Sequence, residues 1–321
     1  MNETVAQLKP YLPSSIINSL DHLSIQQLDT ISEIRLRLNR PASITIQNKN
    51  LPLIDYHTAQ IIKTGESEIE TCFKKICENS VYKYEFEIKK GYITLQNGCR
   101  VGFCGTRVES GHLKHVSSLN FRISRNIIDA AREIYPLIVE NNRIFSSLIV
   151  GAPCTGKTTI LSDLAVKLSD NGNRVAIIDE RSEITAVHRG EPQKAVGQFC
   201  DILDGYPKGE GMMIALRSLS PQVIICDEVG SGEDVTAMAQ AMNAGVPIIA
   251  TVHAESAEAL LYRPQIKQLF DIGAIEKLIV LAGAKTPGKL LKAMFVRELY
   301  ENNCNFDYTD RNTSVGQKIY S

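Results

Sequence analysis

The chain has 321 residues, 44% of them hydrophobic and 22% charged, with a formal net charge of −1. Such a length exceeds one average domain and buries a core without disulfide or metal staples. The balanced charge itself asks for neither nucleic acid nor an anionic membrane, although the N-terminal half is slightly basic.

In chain order, residues 1–30 read as short helices around Pro10 and Pro13. The run ISEIRLRL at 31–38 alternates apolar and polar residues, which predicts a half-buried strand, with another at 43–47. Ile69, Cys72, Phe73, Ile76 and Cys77 recur at helical spacing within 66–79. A β-rich stretch follows at 84–88, 92–96, 100–104, 106–108, 113–116 and 121–124, with Asn97-Gly98 as a hairpin turn. Residues 127–139 read as a helix broken at Pro136, and 141–143 as a domain boundary. Beyond it the pattern becomes strand, loop, helix: continuous apolar runs at 146–150, 174–179, 222–227, 246–252 and 278–282, with helices between them. Strands covered on both faces look like this, so the expectation is an α/β chain. An N-terminal α+β domain (1–140) precedes a RecA-like P-loop domain with a mainly parallel sheet (145–321).

Eight cysteines without a CxxC pair or spaced histidines speak against zinc and fit a reduced compartment. The pairs Cys72/Cys77 and Cys99/Cys104 read as small buried residues. No N-terminal segment has the apolar core of a signal peptide, and no apolar run approaches the roughly 18–20 residues that span a bilayer.

The strongest chemical signal is GAPCTGKT at 151–158, between an apolar strand and an amphipathic helix. Gly151, Ala152, Pro153, Cys154, Thr155 and Gly156 would curl the backbone so that successive N–H groups converge on phosphates, aided by the helix N-terminus. Lys157 would reach the β and γ phosphates of ATP, Thr158 would place its hydroxyl on Mg2+, and Thr159 completes the turn. Cys154 offers its backbone, and its thiol is incidental. The strand VIICDE ends in Asp227, suited to hold magnesium through water, and Glu228, suited to orient or deprotonate the attacking water. The segment IIDERSE puts Asp179 and Glu180 at the edge where α/β folds bind ligands. IIATVHA ends in His253, within reach of a γ-phosphate or the lytic water, and Arg217 precedes the acidic strand. Arg100, Arg107, Arg122 and Arg125 are candidates for an arginine brought to the γ-phosphate from another domain or subunit. The segment 204–211, DGYPKGEG, reads as a glycine-rich loop, either a partner contact or a connector.

This ordered set resembles the secretion ATPase superfamily, the motors of type II and type IV secretion and of pilus retraction, which carry a Walker A loop, an aspartate box, a Walker B strand and a histidine box. Pilus motors typically have glycine before the Walker B glutamate, where this chain has Asp227. A closer resemblance, over about residues 80–260, is to the stage III sporulation protein AA family of endospore-forming bacteria. Its carriers are VYKYEFEIKKGYITLQNGCRVGFCGTRV, SSLNFRISR, VAIIDERSEI, DILDGYPKGEGMMIALRSLSPQVIICDEVG and NAGVPIIATVHAES. The resemblance implies a cytoplasmic, mother-cell ATPase without membrane insertion of its own. It would act as a hexamer, peripheral to a membrane through proteins of the stage III sporulation complex.

From the residues alone, a RecA-like nucleic-acid-dependent ATPase and an ATP-binding platform with little turnover remain open. No aromatic and basic stripe marks a single-strand channel, and a small-molecule kinase lacks an obvious acceptor pocket.

Overall fold

The structure is a computed structural model describing residues 3–47, 49–108, 113–124 and 127–302, with the side chains of Glu3, Thr4 and Arg107 outside that description. The chain forms two compact units. One holds residues Met1–Arg125 and Ala186–Gln193, the other Asn126–Thr185 and Lys194–Ser321. The path therefore leaves the second unit shortly after the IIDERSE segment and returns eight residues later.

The first unit comprises α1 (Glu3–Ala6), α2 (Ser14–Asp21), α3 (Ile25–Thr30), β1 (Ile31–Arg37), β2 (Ser43–Ile46), β3 (Lys49–Pro52), α4 (Glu66–Ile76), α5 (Glu85–Lys90), β4 (Tyr92–Thr94), β5 (Arg100–Arg107) and β6 (Leu113–Arg122). Its antiparallel sheet runs β3-β2-β1-β6-β5-β4. Ile34 and Leu36 of β1 pack with Leu119 and Phe121 of β6 and with Ile69, Phe73 and Ile76 of α4. Gly98 takes φ +75 in the turn after β4, which only glycine adopts readily. The strand expected at 84–88 is instead helix. Phe86 is exposed, Glu85 and Lys89 pair at i,i+4, and Gly91 closes the helix in the left-handed conformation. In YEFEI the residues that face the core are Tyr84 and Ile88, four apart, which is a helical and not a strand spacing. The stretches at 106–108, 113–116 and 121–124 belong to β5 and β6, with Val108 just past β5 and Ile123 and Ser124 just past β6. Cys72, Cys77 and Cys99 are buried as expected, while Cys104 is exposed.

The second unit comprises α6 (Tyr135–Ile138), the two-residue strands β7 (Val139–Glu140) and β8 (Arg143–Ile144), β9 (Ser147–Val150), α7 (Lys157–Asp170), β10 (Val175–Asp179), β11 (Cys200–Asp204), α8 (Lys208–Ser218), β12 (Val223–Cys226), α9 (Gly232–Asn243), β13 (Ile248–Val252), α10 (Pro264–Asp271), β14 (Lys277–Leu281) and β15 (Leu290–Phe295). The sheet runs β11-β10-β12-β13-β9-β14-β15, parallel throughout except for β15. Alternate strand residues feed two cores. Leu148, Val150, Ile178, Ile224 and Ala250 join Met212, Met238 and Leu269 of α8, α9 and α10. Ile149, Ile177, Ile225 and Ile279 join Ile160, Leu161, Leu164 and Leu168 of α7. The helix expected over 127–139 is only α6, with Pro136 in its first turn, where a missing N–H costs nothing. Ala131, Ile134 and Ile138 pack into the α7 core, so this unit begins earlier than residue 145. No helix among the described residues is long and apolar enough to cross a membrane.

Candidate functional site

Strand β9 delivers residues 151–156 to the carboxyl edge of the sheet, and α7 starts at Lys157. The loop needs its glycines. A Cβ on Gly151 would lie 2.5 Å from Thr155 Oγ1, and one on Gly156, at φ +90, 2.9 Å from Gly288 N. Cys154 is exposed and also left-handed, at φ 64. Thr155 is buried, donates to Ala152 O at 2.9 Å and accepts from Gly288 N at 2.8 Å, so the turn between β14 and β15 braces the loop. Thr158 and Thr159 stand half-buried in the first turn of α7.

Lys157 is 6% exposed. Its ammonium donates to the carbonyls of Gly151 at 2.7 Å and Ala152 at 2.8 Å, and lies 2.9 Å from His253 Nδ1. An ammonium only donates, so Nδ1 accepts and the neutral His253 carries its proton on Nε2. Burial lowers the Lys157 pKa, and the charge of Glu228 acts against that shift. His253 Nε2 lies 3.5 Å from Glu228 Oε1, which extends a chain from the loop lysine through the histidine to the glutamate. Glu228 itself is fixed through its backbone, which donates to Thr251 Oγ1 at 2.8 Å.

Asp227, beside it, is 4% exposed, and its Oδ1 meets no hydrogen-bond partner among the described residues. Burial first, and the charge of Asp179 second, push its pKa up to about 7. A buried carboxylate with an open oxygen suits a cation or its water shell. Among the described residues no three acidic, histidine or cysteine side chains converge as a ready-made metal cage. The donor set therefore suits Mg2+, which takes one or two carboxylates and fills its shell with phosphates and water.

A cleft of about 440 Å3 opens next to these groups, lined in part by Glu180, Arg181, Lys208, Glu228, His253 and Arg263. Glu180 pairs with Lys208, whose side chain is 10% exposed at the start of α8. Arg181 Nη1 lies 3.6 Å from Glu228 Oε2. Lys208 and Arg181 escape a sequence reading, one inside a glycine-rich segment and the other inside a run of charges. Their only signal is adjacency to the acids. The segment 204–211 is half helix, since α8 begins at Lys208; a Cβ on Gly211 would come 2.6 Å from Ile178 Cγ2, so glycine there lets α8 lie against β10.

The structure thus brings together the 151–158 loop, Asp227, Glu228, Glu180 and His253. It does not bring Arg217 to them. That residue is exposed in the last turn of α8, ahead of the amino end of β12, whereas the phosphate loop lies at the carboxyl edge. Arg100 and Arg122 face each other across β5 and β6 in the first unit. The Arg107 side chain and the whole of Arg125 lie outside the described residues.

The sporulation stage III, protein AA family matches residues 3–300. The stage III sporulation protein AA of Bacillus subtilis (strain 168) is 36% identical over 309 residues, 93% of this chain and 96% of that protein. Among solved structures, the pilus retraction motor PilT with bound ADP shares the fold at a TM-score of 0.61 and 15% identity, over 91% of this chain and 90% of that one. The Yersinia pseudotuberculosis ATPase DotB does so at a TM-score of 0.56 and 14% identity, over 84% and 76%.

Proposed function

The chain belongs to the sporulation stage III, protein AA family, and from that premise we propose that it hydrolyses ATP to ADP and phosphate to energise or assemble a complex between mother cell and forespore. The observation that carries the reading is the run Lys157–His253–Glu228 beside an open, buried Asp227 oxygen, gathered where β9, β12 and β13 end at the carboxyl edge of the sheet. Lys157 and the backbone N–H groups of 151–156 hold the phosphates. Thr158 and Asp227 hold Mg2+, which when bound supplies charge neutralisation at the phosphates. Glu228 takes the proton of the attacking water, and the neutral imidazole of His253 orients Glu228 through Nε2.

Nucleotide must displace the Gly151 and Ala152 carbonyls as partners of the Lys157 ammonium. Lys157→Ala is expected to abolish ATP binding in a calorimetric titration. Glu228→Gln keeps binding and loses turnover by about 10²- to 10⁴-fold; sustained hydrolysis by that variant would remove Glu228 from its role, and a wild-type chain that binds no ATP would remove the whole reading. A ring of copies, attached to a membrane through partners, is part of the proposal, and molar mass with and without Mg2+ and ATP tests it. One observation favours a second reading, an ATP-locked platform with little turnover: both Glu228 oxygens already face a partner, His253 or Arg181. Wild-type turnover below one per hour at saturating ATP would select it.

A further inference from the structure

Two arginines and a lysine line the cleft beside Glu228 and His253, and they are not alike. Arg181 and Arg263 are exposed, whereas the Lys208 side chain is only 10% exposed. Lys208 opens α8, an end at which the helix dipole disfavours a cation. Close packing fixes that end. A Cβ on Gly209 would lie 3.2 Å from the Glu233 carbonyl oxygen of α9, and one on Gly211 2.6 Å from Ile178 of β10. Burial works against the lysine's charge, but the bond to Glu180 and the charges of Asp227, Glu180 and Asp234 outweigh it and raise the pKa, so Lys208 is an ammonium.

An ammonium has three donors. Lys157 spends its own on the Gly151 and Ala152 carbonyls and on His253. Lys208 spends one, on Glu180, its hydrogen-bond partner among the described residues. Two N–H groups of a nearly buried lysine are thus without a protein acceptor, and a buried donor left so is costly. The side of the nucleotide that they would meet follows from the neighbours. Lys157 reaches the β and γ phosphates and is linked through His253 to Glu228, so the cleft that Glu228 lines lies beyond the γ-phosphate.

We propose that Lys208 is a second phosphate lysine of this site, fixed by Glu180 and using its two open donors on the γ-phosphoryl oxygens during transfer to water. The inference rests on the ATPase reading above. In the reaction the water oxygen bonds to the γ phosphorus, its proton passes to Glu228, and the bond to the ADP oxygen breaks with its electron pair left on ADP. The oxygens of the transferred group move as this happens, and an ammonium with rotatable donors follows them without leaving Glu180. Glu180 touches no phosphate in this scheme and is a positioning residue.

The test uses the full chain as wild type, Lys208→Gln, Glu180→Gln and the double variant. Calorimetry reads the affinity for ADP and for ADP with aluminium fluoride and Mg2+, and a phosphate-release assay reads turnover. In Lys208→Gln we expect ADP affinity within about threefold of wild type, an aluminium fluoride complex weaker by about 100-fold, and kcat lower by about 10²- to 10³-fold. The double variant leaves no charge unpaired and should show the same split, so a folding defect in the single variant does not decide the matter. Glu180→Gln keeps the ammonium but loosens it, and its aluminium fluoride affinity should fall between wild type and Lys208→Gln. Aluminium fluoride affinity within about threefold of wild type in both Lys208 variants, or an equal fall for ADP, would overturn the proposal. A larger loss in Glu180→Gln than in Lys208→Gln would overturn it too, because the glutamate would then be the contacting group. So would recovery of turnover on mixing Lys208→Gln with Lys157→Ala chains, since the lysine would then serve a neighbour's site. A wild-type chain unable to bind ADP would sink the ATPase reading and this inference with it, whereas the other results overturn the inference alone.

Discussion

Two aspartates close neighbouring strands of one sheet. Asp179 ends β10 at 0% exposure and Asp227 follows β12 at 4%. After β10 the chain turns back, and the Asp179 carboxylate accepts from the backbone of 183–185 and from Thr185 Oγ1 at 2.7–3.2 Å. After β12 the backbone turns to β13 instead: Glu228 N–H goes to Thr251 Oγ1 and Val229 N–H to the Thr251 carbonyl, which leaves Asp227 Oδ1 without a partner. One acid is a finished loop anchor and the other is an open valence. The difference lies in where the following three to six residues go, not in the acids or the strands that carry them.

The largest effect should come from Asp179→Asn. An amide cannot accept on both sides, so buried N–H groups of 183–185 are left opposite another donor. We expect a loss of about 3 kcal/mol in denaturant unfolding. Asp227→Asn should leave nucleotide-free stability unchanged or slightly higher, while Mg2+-dependent nucleotide affinity falls about tenfold or more. Equal destabilisation by both variants would break the contrast.

A pH profile sharpens it. The folded chain holds the Asp227 proton up to about pH 7, against the 3.8 of an ordinary aspartate. The group's contribution to stability is thus fully present below about pH 4 and lost as pH rises through 7, at up to about 1.4 kcal/mol per pH unit. Nucleotide affinity in Mg2+ should rise across the same window as the carboxylate ionises. Asp227→Asn should flatten both trends; a slope that survives in unfolding experiments would assign it to another group.

The contrast also explains what the sequence made legible. The loop 151–158 and the acids 227–228 could be read because an apolar strand carries them straight to the sheet edge, and their chemistry depends on neighbours in sequence. The anchoring role of Asp179 depends on backbone N–H groups four to six residues ahead, which no residue type announces. Lys208 and Gly211 were hidden because glycine composition suggests a loop, whereas here glycine permits helix-to-strand contact with Ile178. Arg217 is only ten positions from Asp227, yet the length of β12 separates them, Arg217 lying ahead of its amino end and Asp227 at its carboxyl end. The edge strands β3, β11 and β15 carry exposed or mixed faces and so lack the apolar runs that revealed the central strands.

The smallest effect is expected from Thr185→Val. Thr185 is fully buried, and its hydroxyl donates to Asp179 Oδ2 at 2.7 Å beside its own N–H at 2.8 Å to the same oxygen. Valine keeps the volume and the backbone bond and removes only the hydroxyl. Asp179 keeps its backbone donors, so no buried charge is left bare, and the loss should be about 1–2 kcal/mol by thermal or chemical unfolding. Nucleotide affinity should not change, because the turn that carries Arg181 is still held at 183, 184 and 185. A drop in ATP affinity larger than the drop in stability would mean that the Asp179 turn is itself part of the site, and the division between anchor and open valence would fail at its anchored end.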